Sequence, residues 1–177
     1  YEGAPTPIAG FLSTASKTAG FAVLVRFLGV VFTPVIAFEW TSIIALISVF
    51  TMTLGNILAL AQKNIKRLLA FSSIAHAGYI LIGIVALSEL GLTSVVFYLI
   101  AYLLTNLAAF GVVIAFWQVE KTDEILAYAG LSRRAPGLAI VMLVAFLSLS
   151  GMPPLVGFVA KVFVFAAAVQ TGYIWLA

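Results

Sequence analysis

Ser148-Leu149-Ser150-Gly151-Met152-Pro153-Pro154 interrupts an otherwise continuous apolar run extending from about Gly137 to Gln170. Unbroken, those 34 residues would make a helix of about 51 Å at 1.5 Å per residue. That is too long for one crossing of a hydrocarbon core ~30 Å thick and too short for two. The proline pair removes two backbone donors and, with Gly151, breaks the helical hydrogen-bond ladder. The stretch therefore predicts a discontinuous helix, two pieces meeting at an unwound joint. A joint of this kind survives in a membrane only when it is buried in protein or lines a wet cavity. Transporters place ion sites at such joints.

Outward from the joint, the rest of the chain reads as membrane helices. Apolar segments are expected at approximately 8–32, 41–61, 68–87 and 92–117, ahead of the broken helix at 137–170. Each of the first four has the ~20 residues that one crossing needs. The expected fold class is all-α, a polytopic integral membrane protein forming a single transmembrane domain over residues 1–177. Composition agrees: 64% of the residues are hydrophobic and 8% charged, with mean hydropathy +1.22, against about 25% charged in a soluble domain. The runs are continuous rather than alternating, which argues against a β-barrel. There is no cysteine, so no disulfide framework or cysteine-ligated cluster is available. A single histidine and six scattered carboxylates leave no clustered metal site. No phosphate-binding loop or dinucleotide fingerprint is present. The sequence opens on Tyr1 and ends as Tyr173-Ile174-Trp175-Leu176-Ala177 enters what reads as a further apolar run. Both ends are thus expected to be cut from a longer subunit.

Basic residues set the expected orientation. Lys63, Lys66 and Arg67 follow the second segment, and Lys121, Arg133 and Arg134 fall in the loop at 118–136. The loops after the first and third segments hold no lysine or arginine. The alternation places the two basic loops and the N-terminal end on the cytoplasmic side.

Three cations remain: Lys17, Arg26 and Lys161. The carboxylates (Glu2, Glu39, Glu89, Glu120, Asp123 and Glu124) all fall in loops or at segment ends, so the membrane interior holds cations without an anion. Lys17 lies about nine residues into its segment, roughly 14 Å deep, and Lys161 lies shortly after the joint. A lysine at mid-membrane costs about 2.5–3.5 kcal/mol on the insertion scale, which marks both as candidate proton-exchanging groups. A structural ion pair with a carboxylate elsewhere is the alternative for each. His76 shares a helix face with Ser72 and Tyr79, where a proton relay and a polar interhelical contact are both open. Tyr98, Tyr102, Thr105 and Asn106 lie on or near one face, suited to interhelical hydrogen bonds or a hydrated path. Arg26 is placed to snorkel. Thr51, Thr53 and Asn56, around Gly55, read as close helix packing.

Three motifs in order resemble a known family: Tyr1-Glu2-Gly3-Ala4-Pro5-Thr6-Pro7 with Phe11-Leu12-Ser13-Thr14-Ala15-Ser16-Lys17; Gly55-Asn56 with Asn64-Ile65-Lys66-Arg67 through His76-Ala77-Gly78-Tyr79; and Ser148 through Lys161. Together they resemble the subunit N (subunit 2) family of bacterial NADH-quinone oxidoreductase, respiratory complex I. The resemblance covers essentially the whole chain. It implies inverted repeats, each with a broken helix, with this chain running from the family's eighth helix to the start of its thirteenth. Lys17 then matches the central-axis lysine and Lys161 the lysine of the second broken helix. The first broken helix, its lysine and a paired glutamate would lie upstream. Subunits L and M and the multisubunit cation/proton antiporters typically have a histidine-bearing segment where this chain has Ser16-Lys17.

The resemblance implies a proton-pumping translocase subunit of the respiratory electron-transport chain, with Lys17 and Lys161 as relay lysines and no redox chemistry in this chain; His76, from its helix face, joins them as a candidate relay group. No cofactor is expected within it. Flavin and iron–sulfur clusters would belong to other subunits, and quinone would be met only through the complex. The expected partners are other membrane subunits, the lipid bilayer and protons, with no nucleic acid. The bacterial plasma membrane is the expected location, with the thylakoid membrane as alternative. The competing function is a subunit of a multisubunit cation/proton antiporter or of a related membrane-bound hydrogenase.

Overall fold

The computed structural model describes residues 3–31, 37–86 and 88–177, with the side chains of 29–39 outside the description. The expected segment ends at Phe32 and Leu87 fall outside the described residues, as do the side chains of Glu2 and Glu39. Among the described residues the regular structure is helical. Helix α1 (Thr6–Phe11) passes through a π-helical turn at Leu12–Ser16 into α2 (Lys17–Val31). Then come α3 (Ala37–Leu60), α4 (Ile65–Val85), α5 (Glu89–Glu120), the short α6 (Leu131–Arg134), α7 (Pro136–Ser150) and α8 (Val156–Gln170). Among the described residues, four stretches are long and apolar enough to cross a membrane: Thr6–Leu28, Trp40–Leu60, Ile65–Val85 and Glu89–Glu120. The fifth apolar segment is α7 and α8, 15 residues each, separated at the Gly-Met-Pro-Pro joint as the sequence predicts.

The ends of α7 and α8 have a specific chemistry. Gly151 adopts φ 87°, a left-handed conformation that costs an L side chain roughly 1–2 kcal/mol. Its N–H donates to Ser148 O at 3.0 Å and the Met152 N–H to Leu147 O at 3.0 Å, the double closure of a Schellman stop. Pro153 and Pro154 follow, joined by a cis peptide bond. Ser148 Oγ then accepts from the Gly157 N–H at 3.2 Å, tying the start of α8 back to α7. Gly157 is required here, since a Cβ would run into the Ser148 carbonyl.

Helices α3 and α4 approach through glycines. A Cβ on Gly55 would lie 2.7 Å from Ala75 N, and one on Gly78 would lie 2.6 Å from Thr51 Oγ1. Ser48 Oγ donates across the seam to Gly78 O at 2.7 Å. Close backbone approach of this kind is how small residues join helices in a membrane.

Helices α3 and α5 start a few residues earlier than expected, and two boundaries on the basic side also differ. Helix α4 starts at Ile65 because Asn64 caps it, its side chain accepting from the N–H groups of Lys66 and Arg67. Lys66 and Arg67 are therefore first-turn residues rather than loop residues. Helix α5 runs from Glu89 to Glu120, since Ser88 caps its start and Lys121, at φ 54°, ends it. Gln118 and Glu120 are good helix formers and do not stop it.

The two basic loops lie together. Asn64 and Glu124 form an antiparallel bridge, with Ile65 N–H on Asp123 O and Ile125 N–H on Lys63 O, both at 2.9 Å. Lys66, 6% exposed, pairs with Asp123 at 2.7 Å. Arg134 ties the remaining loop to Glu120 at 2.6 Å and to the carbonyls of Ala127 and Ala129. Tyr128 stacks on Phe116, and burial, with the nearby Asp123 carboxylate second, pushes its hydroxyl pKa up. Asn64→Ala is expected to cost about 1 kcal/mol by removing the α4 cap, read as a lower thermal midpoint of the purified subunit.

Candidate functional site

Lys17 is the middle residue of the Thr6–Leu28 span. It begins α2 directly after the π-turn, whose wider winding often marks functional sites. Its Nζ donates to Ser73 Oγ at 2.8 Å and to the Ser73 carbonyl. Ser73 Oγ passes its own hydrogen to Ala70 O at 2.7 Å, leaving its lone pairs for the ammonium. The π-turn itself is held by α5. Ser13, fully buried, accepts from Asn106 Nδ2 at 2.8 Å and lies 3.1 Å from Tyr102 Oη.

His76 stands one turn beyond Ser73 on α4, near the middle of that helix. Its Nδ1 lies 2.7 Å from Tyr98 Oη, and its ring is 5.0 Å from the Tyr102 ring and 6.0 Å from that of Tyr79. Tyr79 comes a further turn along α4 and accepts from Asn56 Nδ2 at 3.2 Å. The face of α4 thus presents Ser73, His76 and Tyr79 in succession.

Lys161 meets the far end of this face. Its Nζ sits 4.8 Å from the Tyr79 ring centroid, a cation–π distance. The same ammonium donates to Leu149 O at 3.2 Å and Ser150 O at 2.9 Å. These are two of the four carbonyls that the end of α7 leaves without helical partners. The Schellman closure takes Leu147 and Ser148, so lysine and backbone together satisfy all four. A cation at a helix C-terminus is also favoured by the helix dipole. Lys161 is therefore the cap of the broken helix. An open cavity of about 530 Å³ adjoins it, lined among others by Asn56, Ser72, His76, Tyr79, Ser150 and Lys161.

Lys17, His76 and Lys161 are thus arranged along one line of polar side chains, Lys17 through Ser73 and Lys161 through Tyr79. Ser72, His76 and Tyr79 share the cavity wall, and Tyr98, Tyr102 and Asn106 join the line from α5. Thr105 lines a small cavity beside His76. Arg26 is exposed and outside the axis. Lys17 contacts Ser73, a residue that the sequence reading did not single out. Ser73 lies three residues before His76 and six before Tyr79, a phase the sequence already contained. Ser13 and Ser148 were also missed as polar anchors. Neither ammonium lies within 4.0 Å of a carboxylate among the described residues. No group of three or more metal-ligating side chains occurs among those residues either.

The profile of the NADH:quinone oxidoreductase/Mrp antiporter transmembrane family matches residues 1–177. The chain belongs to this family. Within it, NADH-quinone oxidoreductase subunit N of Moorella thermoacetica is 50% identical over the whole chain, which covers 37% of that relative. NAD(P)H-quinone oxidoreductase subunit 2 of a Synechococcus species is 48% identical over 97% of the chain, covering 33% of the relative. The chain thus spans about a third of the length of these curated relatives. A solved structure of the Mrp complex from a Dietzia species aligns at TM-score 0.74 and 28% identity, over 77% of this chain and 26% of that one.

Proposed function

We propose that this chain is part of the proton-translocating membrane subunit of an NADH-quinone oxidoreductase, with Lys17, His76 and Lys161 as its relay groups. The observation that carries the reading is the position of Lys161. Its ammonium closes the exposed carbonyls of a broken helix and faces an open cavity shared with His76. Losing the proton weakens the cap, because the neutral amine keeps two donors but loses the charge that strengthens their bonds to the carbonyls, so the charge of Lys161 and the state of the joint are coupled. The identity to subunit N and subunit 2 relatives supports the assignment to the NADH-linked complexes.

In this reading the chain contributes no redox centre. Flavin and iron–sulfur clusters, and the quinone site, belong to other subunits, and redox energy arrives through contacts between membrane subunits. The basic side, where the two loops bridge, faces the cytoplasm. The membrane is the bacterial plasma membrane or, as the Synechococcus relative permits, a thylakoid membrane. The Mrp likeness favours a second reading, a cation/proton antiporter subunit. Affinity purification of the full-length subunit separates the two. Co-isolation with flavin- and iron–sulfur-containing subunits and NADH-dependent quinone reduction is the expected result. Sodium-dependent proton exchange without those subunits would overturn it.

A further inference from the structure

Tyr98 has a role beyond packing. It is 2% exposed and His76 is 6% exposed, and the 2.7 Å contact between Tyr98 Oη and His76 Nδ1 is the imidazole's one hydrogen bond to protein among the described residues. A neutral imidazole has one ring nitrogen that donates and one that accepts, and its hydrogen-bond partner selects which. A neutral phenol donating to Nδ1 leaves the ring proton on Nε2. Resting on the relay reading of His76, we propose that Tyr98 is a positioning residue that holds neutral His76 as the Nε2–H tautomer, so that Nε2 is the nitrogen that exchanges protons with the cavity leading to Lys161.

Three further observations support this. The His76 ring lines the open cavity of about 530 Å³ together with Lys161 and Tyr79, so a proton leaving Nε2 has a route. On the other side, Tyr98, Tyr102, Thr105 and Ser148 enclose a cavity of only about 10 Å³ with the same ring, about the volume of one water. The ring thus lies between a very small cavity that it shares with Tyr98, its Nδ1 partner, and the large one that it shares with Lys161. Finally, α5 fixes Tyr98 firmly. Its neighbours Tyr102 and Asn106 are tied to Ser13 of the π-turn, which anchors the stretch of helix that presents the buried phenol.

A single hydrogen bond of this type biases the tautomers by up to about tenfold. The test is ¹⁵N magnetic resonance of histidine-labelled, purified full-length subunit, with the His76 signals identified by subtracting the spectrum of a His76→Gln variant. The expected wild-type spectrum has Nδ1 unprotonated and Nε2 protonated. In Tyr98→Phe the two tautomers should become comparably populated, and the complex should pump fewer protons per electron. A protonated Nδ1 in the wild type, or an unchanged tautomer in Tyr98→Phe, would overturn the proposal. The tautomer readout does not depend on pumping. If it shifts as expected while Tyr98→Phe and Lys161→Ala both pump normally, Tyr98 positions His76 and the relay reading is what fails.

Discussion

A complex carrying Lys161→Arg is expected to assemble close to the wild-type level yet translocate few protons through this subunit, whereas Lys161→Ala loses both. Arginine keeps a positive charge and several donors, so it can still reach the carbonyls of Leu149 and Ser150 that Lys161 holds at 3.2 and 2.9 Å. It does not release a proton in a protein. Alanine removes the cap as well. Hydrogen bonds from a charged donor contribute about 1.5–3 kcal/mol each, although water in the adjoining cavity can replace part of that loss. The pair of variants therefore divides the two roles of one ammonium. Assembly is read from the yield of intact complex, and translocation from proton uptake into sealed vesicles. Equal assembly defects with normal pumping in the surviving complex would assign Lys161 a purely structural role.

Gly157→Ala should be the most damaging substitution of a small residue at the joint. The added methyl would be driven into the Ser148 carbonyl, and the atom it meets is backbone at the end of α7, not a flexible side chain. Overpacking in a rigid interior costs about 1–3 kcal/mol and more where the backbone must move. Separating the helices also breaks the Gly157 N–H to Ser148 Oγ bond at 3.2 Å and draws Lys161 away from the carbonyls it caps. The expected result is little or no assembled subunit in the membrane at normal expression. The control is Gly111→Ala, where an added methyl meets nothing within 4 Å and assembly should be unchanged.

Much of this was legible from residue order alone. A glycine followed by two prolines inside an apolar run can only mean a break, and the break stands at Gly151–Leu155. Deep lysines without local carboxylates pointed to Lys17 and Lys161. The parts that were not legible depend on helix phase and on caps. That Lys17 meets Ser73 depends on how the helix after the π-turn at Leu12–Ser16 faces α4. Periodicity at 3.6 residues does not reveal such a turn. The early start of α4 follows from a single capping asparagine beside residues whose charge reads as loop. That Lys161 caps α7 required knowing how sharply the chain returns after Pro154.

The claim at the centre of the account is that the axis from Lys17 to Lys161 moves protons rather than merely joining helices. It is tested most directly by the proton-to-electron ratio of the full-length complex in sealed vesicles, comparing wild type with Lys17→Ala at matched rates of NADH oxidation. The account predicts a lower ratio for Lys17→Ala in complexes that assemble and oxidise NADH. A ratio equal to wild type in those complexes would contradict it.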